Sequence, residues 1–152
     1  MDLVTRQIVK TVSFPTGSKP YMLRVSPDGK EVWVQSGQTN NNYVLNADDL
    51  ATLSTEPCGK GPVTNAWTPD AKYSIVTNSG DTTISIFDAG SHKEIKRLNV
   101  GQSPANIGFT KDGKTAFISV TGANAVAVVD TAKWEVVEQI QAGTQPTGLI
   151  VM

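Results

Sequence analysis

Residues able to do chemistry are few and dispersed in this sequence. Side-chain catalysis and metal binding need convergent histidine, cysteine or carboxylate groups, and the 152-residue chain has one histidine, His92, and one cysteine, Cys58. The recurring carboxylates Asp28, Asp70 and Asp112 each follow a Ser or Thr in a turn-like segment, where an aspartate caps the local backbone. There is no Gly-x-Ser-x-Gly elbow, His-Glu-x-x-His pair or P-loop. The sequence therefore predicts no catalytic, cofactor-binding or metal site among these residues.

A binding surface is the alternative to catalysis, and one segment suits it. Gln38-Thr39-Asn40-Asn41-Asn42 is rich in amide donors and acceptors that can hydrogen-bond a glycan or a peptide, although amides are also ordinary turn material. Loops on a rigid scaffold commonly carry function. The residues predicted to contact a ligand all lie in or beside loops at one end of the expected fold: Gln38, Asn40, Asn41, Asn42, Lys60, Asn78, Asp81, Gln102 and Asn124.

Charge and hydropathy exclude several classes of partner. The net charge is −1 with both signs interspersed, so no basic face is available for nucleic acid or for a lipid surface. The longest apolar stretch, Ala125 to Val129, is far too short to span a bilayer, and Met1 to Lys10 lacks the apolar core of a signal peptide. No membrane insertion is expected. The lone Cys58 cannot form an internal disulfide and is expected to fill a small position, which leaves the compartment open.

The chain is a tandem repeat with a period of 42 residues. Gly-x-x-Pro begins at Gly17, Gly59, Gly101 and Gly143. A second column keeps the same spacing: Ser26-Pro27-Asp28-Gly29, Thr68-Pro69-Asp70-Ala71 and Thr110-Lys111-Asp112-Gly113. Periods of roughly 20–50 residues indicate solenoids, propellers or arrays. We predict repeat units of about 17–58, 59–100 and 101–142, with partial units at 1–16 and 143–152, within one domain spanning 1–152.

Each unit reads as four short strands separated by turn residues. In the third unit we expect strands at 106–110, 115–120, 125–130 and 134–141, with a tight turn at 111–114 in which Gly113 takes a positive φ. The second unit gives 63–68, 73–78, 83–88 and 93–99 in the same way. Apolar positions align between the units, and Asn65, which aligns with Leu23 and Ile107, breaks this register.

Stacked four-stranded sheets are the architecture that these units favour. A lone sheet leaves both faces wet, whereas radial stacking of about 40-residue antiparallel meanders buries them. The predicted fold is therefore an all-β, β-propeller architecture with an incomplete ring. Trp33 and Trp67 are expected to pack between blades, Trp134 to be half exposed, and His92 to lie in a solvated turn before an outer strand.

Two strand motifs carry a family resemblance. Tyr73-Ser74-Ile75-Val76-Thr77-Asn78 with Thr83-Ile84-Ser85-Ile86-Phe87-Asp88, and Ala125 to Ala132, resemble the YVTN-type β-propeller repeat, and the resemblance covers the whole chain. It implies a propeller of typically seven blades from bacteria or archaea, and a periplasmic or cell-surface location for a full-length parent. The third turn lacks the proline of the family pattern, and the first unit has Asn46 where later units have Asp88 and Asp130.

The length corresponds to about three and a half blades. In phase with the repeat, Arg6 to Phe14 is predicted to be an outer strand and Thr147 to Met152 an inner strand. A closing blade made of these two segments would lack its middle strands and leave unpaired edges, so self-closure is not expected. Either further blades belong to a longer parent chain, or copies of the chain associate, for example as a homodimer that completes a ring.

Three hypotheses about function follow. The first is a non-catalytic binding or scaffold module that presents loops to a protein, peptide or glycan. The second is a fragment of a propeller enzyme, since lactonases and quinone- or haem-linked dehydrogenase subunits use related propellers; the single histidine counts against it, but absent blades can hold catalytic residues. The third is a cell-surface or surface-layer structural repeat protein.

Overall fold

Short runs of six or seven residues, separated by turns, form the strands of this protein. A computed structural model describes residues 4–151; residues 1–3 and Met152, which belong to the predicted partial units, lie outside the described residues. Twelve strands within the described part form three antiparallel sheets, and each sheet is a meander of four consecutive strands. The predicted all-β architecture is confirmed.

The strand bounds follow the repeat closely. Blade 1 contains β1 (Pro20–Val25), β2 (Glu31–Ser36), β3 (Asn41–Asn46) and β4 (Thr52–Pro57). Blade 2 contains β5 (Pro62–Trp67), β6 (Tyr73–Asn78), β7 (Thr83–Asp88) and β8 (Glu94–Asn99). Blade 3 contains β9 (Pro104–Phe109), β10 (Thr115–Val120), β11 (Ala125–Asp130) and β12 (Glu135–Gln141), with one 3-10 turn at Thr121–Ala123.

The aspartate column closes the turn between the first two strands of each blade. Asp28 accepts hydrogen bonds from Ser26 Oγ at 2.6 Å and from the backbone N–H of Lys30 at 3.1 Å. Asp70 and Asp112 repeat this arrangement. The hydroxyl and backbone donors hold the pKa of all three carboxyls below their usual value. The predicted turn-capping role is confirmed, as is the positive φ of 70° at Gly113.

The core lies between the blades, and the two junctions differ in chemistry. The junction of blades 2 and 3 contains a large apolar cluster that includes Ile75, Ile84, Ile107 and Ile118. The junction of blades 1 and 2 has a smaller cluster, which consists of five buried side chains and one half-buried indole: Trp33, Val44, Cys58, Val76, Phe87 and Trp67. The expected packing of Trp33 and Trp67 between blades is confirmed. Their rings meet edge to face, with centroids 4.9 Å apart.

Polar side-chain contacts lie at the periphery of the first junction. His92 Nε2 lies 2.8 Å from Glu31 Oε1, and Lys93 Nζ lies 2.7 Å from Glu56 Oε1. Burial would raise the pKa of Glu56, but the hydrogen bonds from Lys93 and Ser54 outweigh it and hold the pKa below its usual value. His92 lies between β7 and β8, before an outer strand as predicted. The expectation that it is solvated is wrong, because the ring packs against Trp33 of the neighbouring blade and only 17% of the side chain is exposed.

Trp134 is also more buried than its sequence position indicated. We expected a half-exposed side chain, yet only 8% of its surface is accessible. The ring packs edge to face on Tyr73 of blade 2, with centroids 5.6 Å apart. A residue of the turn that precedes β12 in one blade thus covers the second strand of the preceding blade. This contact joins two repeats, so the pattern within a single repeat does not indicate it.

Both terminal segments occupy strand positions without forming strands. Val12 and Phe14 pack against Val34, Tyr43 and Leu45 on the open face of blade 1, where an outer strand of a preceding blade belongs. The predicted strand at Arg6 to Phe14 is nevertheless wrong, since the described chain forms no ladder there. A strand requires a hydrogen-bonded neighbour, and no further sheet among residues 4–151 supplies one.

The C-terminal segment shows the same effect on the other open face. Ser119 Oγ donates to the carbonyl of Thr147 at 3.1 Å, one repeat after the hydrogen bond from Thr77 Oγ1 to the carbonyl of Ala105 at 3.3 Å. Residues 147–151 therefore lie where the inner strand of a following blade belongs. The prediction of a strand from Thr147 to Met152 is wrong over 147–151, because no second strand pairs with it, and Met152 is outside the described residues.

Candidate functional site: the loop end of the blades

Loops from all three blades gather at one end of the sheets. In each blade the loop between the second and third strands pairs by backbone hydrogen bonds with the Gly-x-x-Pro segment that enters that blade. Gly37 N–H donates to the carbonyl of Lys19 at 3.0 Å, Ser79 N–H to Gly61 at 3.0 Å and Thr121 N–H to Ser103 at 3.1 Å. The repeated pairing places both sets of loops on one surface, which we call the loop end.

Asparagine and aspartate side chains brace these loops. Asn40 Oδ1 accepts from the backbone N–H of Gly61 at 2.8 Å, which ties the loop of blade 1 to the entry of blade 2. Asn124 Oδ1 accepts from Gln145 N–H at 2.9 Å at the same register two repeats later. Both asparagines have a left-handed backbone conformation, with φ near 55°. Asn adopts this conformation more readily than most residues do. These two predicted ligand residues therefore hold the loop backbone in place.

Asp81 braces the second loop in a different way. Its carboxylate accepts hydrogen bonds from Lys60 N–H at 2.9 Å, Thr83 N–H at 2.7 Å and Thr83 Oγ1 at 2.7 Å. Partial burial would raise the pKa of Asp81, but these donors outweigh it and hold the pKa below its usual value. The carboxylate is ionised at neutral pH and its acceptor capacity is largely used inside the protein.

Three further predicted residues lie at the roots of the loops. Asn42 is fully buried and its Oδ1 accepts from Gln35 Nε2 at 3.0 Å. Asn78 is fully buried as well, and its Nδ2 donates to Thr83 Oγ1 and Ser85 Oγ, each at 3.0 Å. Asn41 begins β3 and pairs with Ser36. The loop surface is therefore built on a buried layer of amide and hydroxyl groups, and ligand contact by these residues stays a prediction.

Among the predicted ligand residues, Gln38, Lys60, Gln102 and Asn124 are exposed at the loop end. Gln38 lines an open cavity of about 470 Å³ between the first two blades, together with Lys19, Tyr21, Gly37, Gly61, Pro62 and Val63. Tyr21 is 65% exposed there. An aromatic ring, an amide and an ammonium group thus border one concave surface.

Lys19 and Tyr21 were absent from the residues predicted from sequence. Tyr21 occupies the column of Val63 and Ala105, so an aromatic residue at this one position was a detectable signal. Lys19 precedes Pro20 in the Gly-x-x-Pro segment. The glycine and proline of this segment indicate a turn, and that pattern gives no role to the side chains between them. Their contribution to a cavity follows from the pairing of two loops that are distant in sequence.

Within residues 4–151, no group of three or more histidine, cysteine, aspartate or glutamate side chains is arranged to hold a metal ion. Over the same residues no helix is long and apolar enough to cross a bilayer.

Comparison with known proteins places the fold. No protein-family model matches the chain, and no curated protein matches it. Among solved structures, Kuenenia stuttgartiensis hydrazine synthase matches with a TM-score of 0.80 at 27% identity, over 91% of this chain and 40% of that chain. The periplasmic gluconolactonase of Pseudomonas aeruginosa matches with a TM-score of 0.79 at 20% identity, over 90% and 43%. A putative 6-phosphogluconolactonase from Bacteroides fragilis gives 0.75 at 20% identity, over 86% and 41%.

The chain spans about two fifths of the length of these solved structures. Similarity at this level of identity describes the backbone arrangement, to which this chain contributes three four-stranded meander sheets. The protein described by residues 4–151 is a sector of a β-propeller, with three complete blades and an open face at either end.

Proposed function

We propose that this chain is a non-catalytic binding module that presents the loop end of a propeller sector to a protein, peptide or glycan. The observation that carries the proposal is the bracing of the loops. Asn40, Asp81 and Asn124 fix loop backbone with their side chains, while Gln38, Lys60 and Gln102 keep theirs in solvent. A preorganised surface loses little conformational entropy on binding.

The cavity beside Gln38 supports a polar ligand. Tyr21 offers an exposed ring face, Gln38 a donor and an acceptor, and Lys19 a cation, around about 470 Å³ of open space. Aromatic rings with neighbouring amides suit the alternating apolar and hydroxyl faces of a glycan, and also a peptide with acidic or amide side chains. The resemblance to YVTN-type propellers, which implies a periplasmic or cell-surface parent, is consistent with such partners.

We expect labelled protein to bind members of a combined glycan and peptide array, and the double variant Tyr21→Ala/Gln38→Ala to weaken that binding by about tenfold or more. Lys111→Ala is the matched control, because Lys111 is an exposed residue of the turn between β9 and β10, away from the loop end. Backbone NMR shifts on addition of the best ligand should cluster in the loops. Shifts confined to the opposite turns, or equal binding by the double variant, would reject the proposal.

A second candidate is a segment of a propeller enzyme. The observation that favours it is that two of the compared structures are described as gluconolactonase and putative 6-phosphogluconolactonase. The likeness concerns the fold, and the chain covers 43% and 41% of those proteins, so catalytic groups would have to come from further blades. Lactone hydrolysis releases acid, and a pH-stat assay on this chain and on any longer parent protein separates the two candidates.

We further propose that the two open faces of the sector are covered either by a second copy or by further blades of a parent. Leu23 and Val25 are exposed on β1, and Ile150 is exposed beside blade 3. Apolar sheet faces of this kind favour association.

Light scattering on a sizing column should therefore show association that increases with concentration. A stable species of twice 16.2 kDa would identify a two-copy assembly, whereas polydisperse association would favour the segment of a longer propeller. A concentration-independent monomer of 16.2 kDa would contradict the expectation that these faces require a cover.

A further inference from the structure

Three polar side chains line a small cavity where the inner strands meet. The cavity has a volume of about 220 Å³ and is bordered by Arg24 of β1, by Asn65, Ala66 and Trp67 of β5, and by Ile107 of β9. It lies along the inner edge of the junctions and has a lining distinct from that of the cavity beside Gln38. No aspartate or glutamate belongs to its lining, so Arg24 makes the local charge positive.

Two of these side chains have unused hydrogen-bonding groups. Asn65 is 1% exposed; its Nδ2 donates to Ser74 Oγ at 2.9 Å, and its Oδ1 is buried with no hydrogen-bond partner among residues 4–151. The indole Nε1 of Trp67 is also buried, and the described part of the chain supplies no partner for it. Natural structures seldom leave buried polar atoms unsatisfied, because the desolvation of each such atom is not offset. Arg24 has no ion-pair partner among residues 4–151.

Comparison of the repeats shows that the fold does not require polar residues at the positions of Arg24, Asn65 and Trp67. One period later, the positions of Arg24, Asn65 and Trp67 are occupied by Ala66, Ile107 and Phe109. Ile107 belongs to the apolar core of the junction between blades 2 and 3, and Ala66 and Phe109 pack against that core. The same geometry is therefore filled by apolar side chains with no unsatisfied atoms. The polar set is confined to one junction, as expected for a group of residues that serves a ligand rather than the fold.

We propose that this cavity binds a small molecule that carries a carboxylate and a hydroxyl group. The Arg24 guanidinium pairs with the carboxylate, the N–H of Trp67 donates to it, and Asn65 Oδ1 accepts the hydroxyl hydrogen after a small adjustment of the amide. Guanidinium groups match carboxylates in charge and geometry. The volume lies below the roughly 300–1,000 Å³ typical of drug-sized ligands, which selects a short hydroxy acid.

Three compounds of three carbon atoms each test the roles of the carboxylate and the hydroxyl group separately. Lactate has the carboxylate and the hydroxyl, propionate has the carboxylate alone, and 1,2-propanediol has hydroxyls alone. The readout is the ¹H–¹⁵N resonance of the Trp67 indole, assigned by its loss in Trp67→Phe, which installs the ring found at Phe109. We expect lactate to shift this resonance with a Kd of about 1–10 mM, propionate to bind about tenfold more weakly, and 1,2-propanediol to have no effect.

Variants taken from the chain's own next repeat provide the second arm. Arg24→Ala should abolish the lactate response, and Asn65→Ile should reduce the affinity for lactate to that for propionate. The charge control, Lys111→Ala, should leave the response unchanged. Asn65→Ile should also raise the melting temperature, since it replaces an unsatisfied amide by the residue of the apolar junction.

The proposal is overturned by any of three results. One is the absence of a Trp67 indole shift up to about 50 mM lactate; another is equal affinity for lactate and propionate; the third is a lactate response retained in Arg24→Ala. None of these results affects ligand binding at the loop end, whose variants Tyr21→Ala and Gln38→Ala lie in the other cavity.

Discussion

Replacing Trp33 by alanine is expected to lower the free energy of unfolding by about 3–5 kcal/mol. Trp33 is completely buried at the junction of blades 1 and 2, with its ring centroid 4.9 Å from that of Trp67 and 6.0 Å from that of Phe87. Its Nε1 donates to Glu31 Oε2 at 2.9 Å. Truncation leaves a cavity between the blades and removes one of the two partners of Glu31, the other being His92.

The repeat supplies the control for this prediction. Phe117 occupies the column of Trp33 in blade 3, so Trp33→Phe keeps an aromatic ring and deletes the indole N–H. We expect this variant to lose about 1–2 kcal/mol. Urea unfolding followed by circular dichroism gives both values from the midpoint at constant m. A loss below about 1 kcal/mol for Trp33→Ala would mean that the junction collapses around the gap or contributes little to stability.

Gly59→Ala is expected to destabilise the fold by about 2–4 kcal/mol, although it adds a single methyl group. A Cβ at this position would lie 2.5 Å from Asn78 Nδ2 and 2.9 Å from Asn78 Cβ. Asn78 is fully buried and cannot swing into solvent. Displacing it breaks its hydrogen bonds to Thr83 and Ser85, which connect the loop end to the third strand of blade 2.

Gly143 tests whether this effect depends on packing or on the motif itself. It begins the same Gly-x-x-Pro motif two repeats later, and nothing lies within 4 Å of a Cβ added there. Gly143→Ala should therefore change stability by no more than about 0.5 kcal/mol. Equal losses for the two variants would show that the glycine is required by backbone conformation, and the explanation from contact with Asn78 would then be rejected.

The strand pattern could be predicted in detail because each strand is a local property of the repeat. The predicted bounds of β6, β7, β10 and β11 coincide with those of the structure, and the other strands predicted in blades 2 and 3 differ by one or two residues at one or both ends. The alternation of apolar and polar residues within each run, together with the turn residues that follow it, is sufficient to locate a strand. The three turn aspartates were assigned their role for the same reason, since their donors lie within two residues of them.

Contacts between repeats were the part that local patterns did not indicate. His92 and Trp134 share one column, yet one pairs with Glu31 and the other packs on Tyr73, in each case a residue of the preceding blade. The candidate site was also predicted only in part. Gln38 was identified because its loop is rich in amide side chains, whereas Lys19 and Tyr21 lie beside it only because the loop folds back on the Gly-x-x-Pro segment.

The sequence by itself determined the period, the four-stranded unit and the propeller architecture, since the spacing of apolar and turn residues dictates which backbone can bury them. Only the tertiary structure decided which polar side chains are used in hydrogen bonds within the protein and which keep free hydrogen-bonding groups. Asn40 and Asn124 brace loops, whereas Asn65 and Trp67 keep buried groups without partners. The physical reason is that the burial and hydrogen bonding of a side chain at a junction depend on the residues that face it from the neighbouring blade. Those residues lie about one repeat away in sequence and come into contact only when the blades stack.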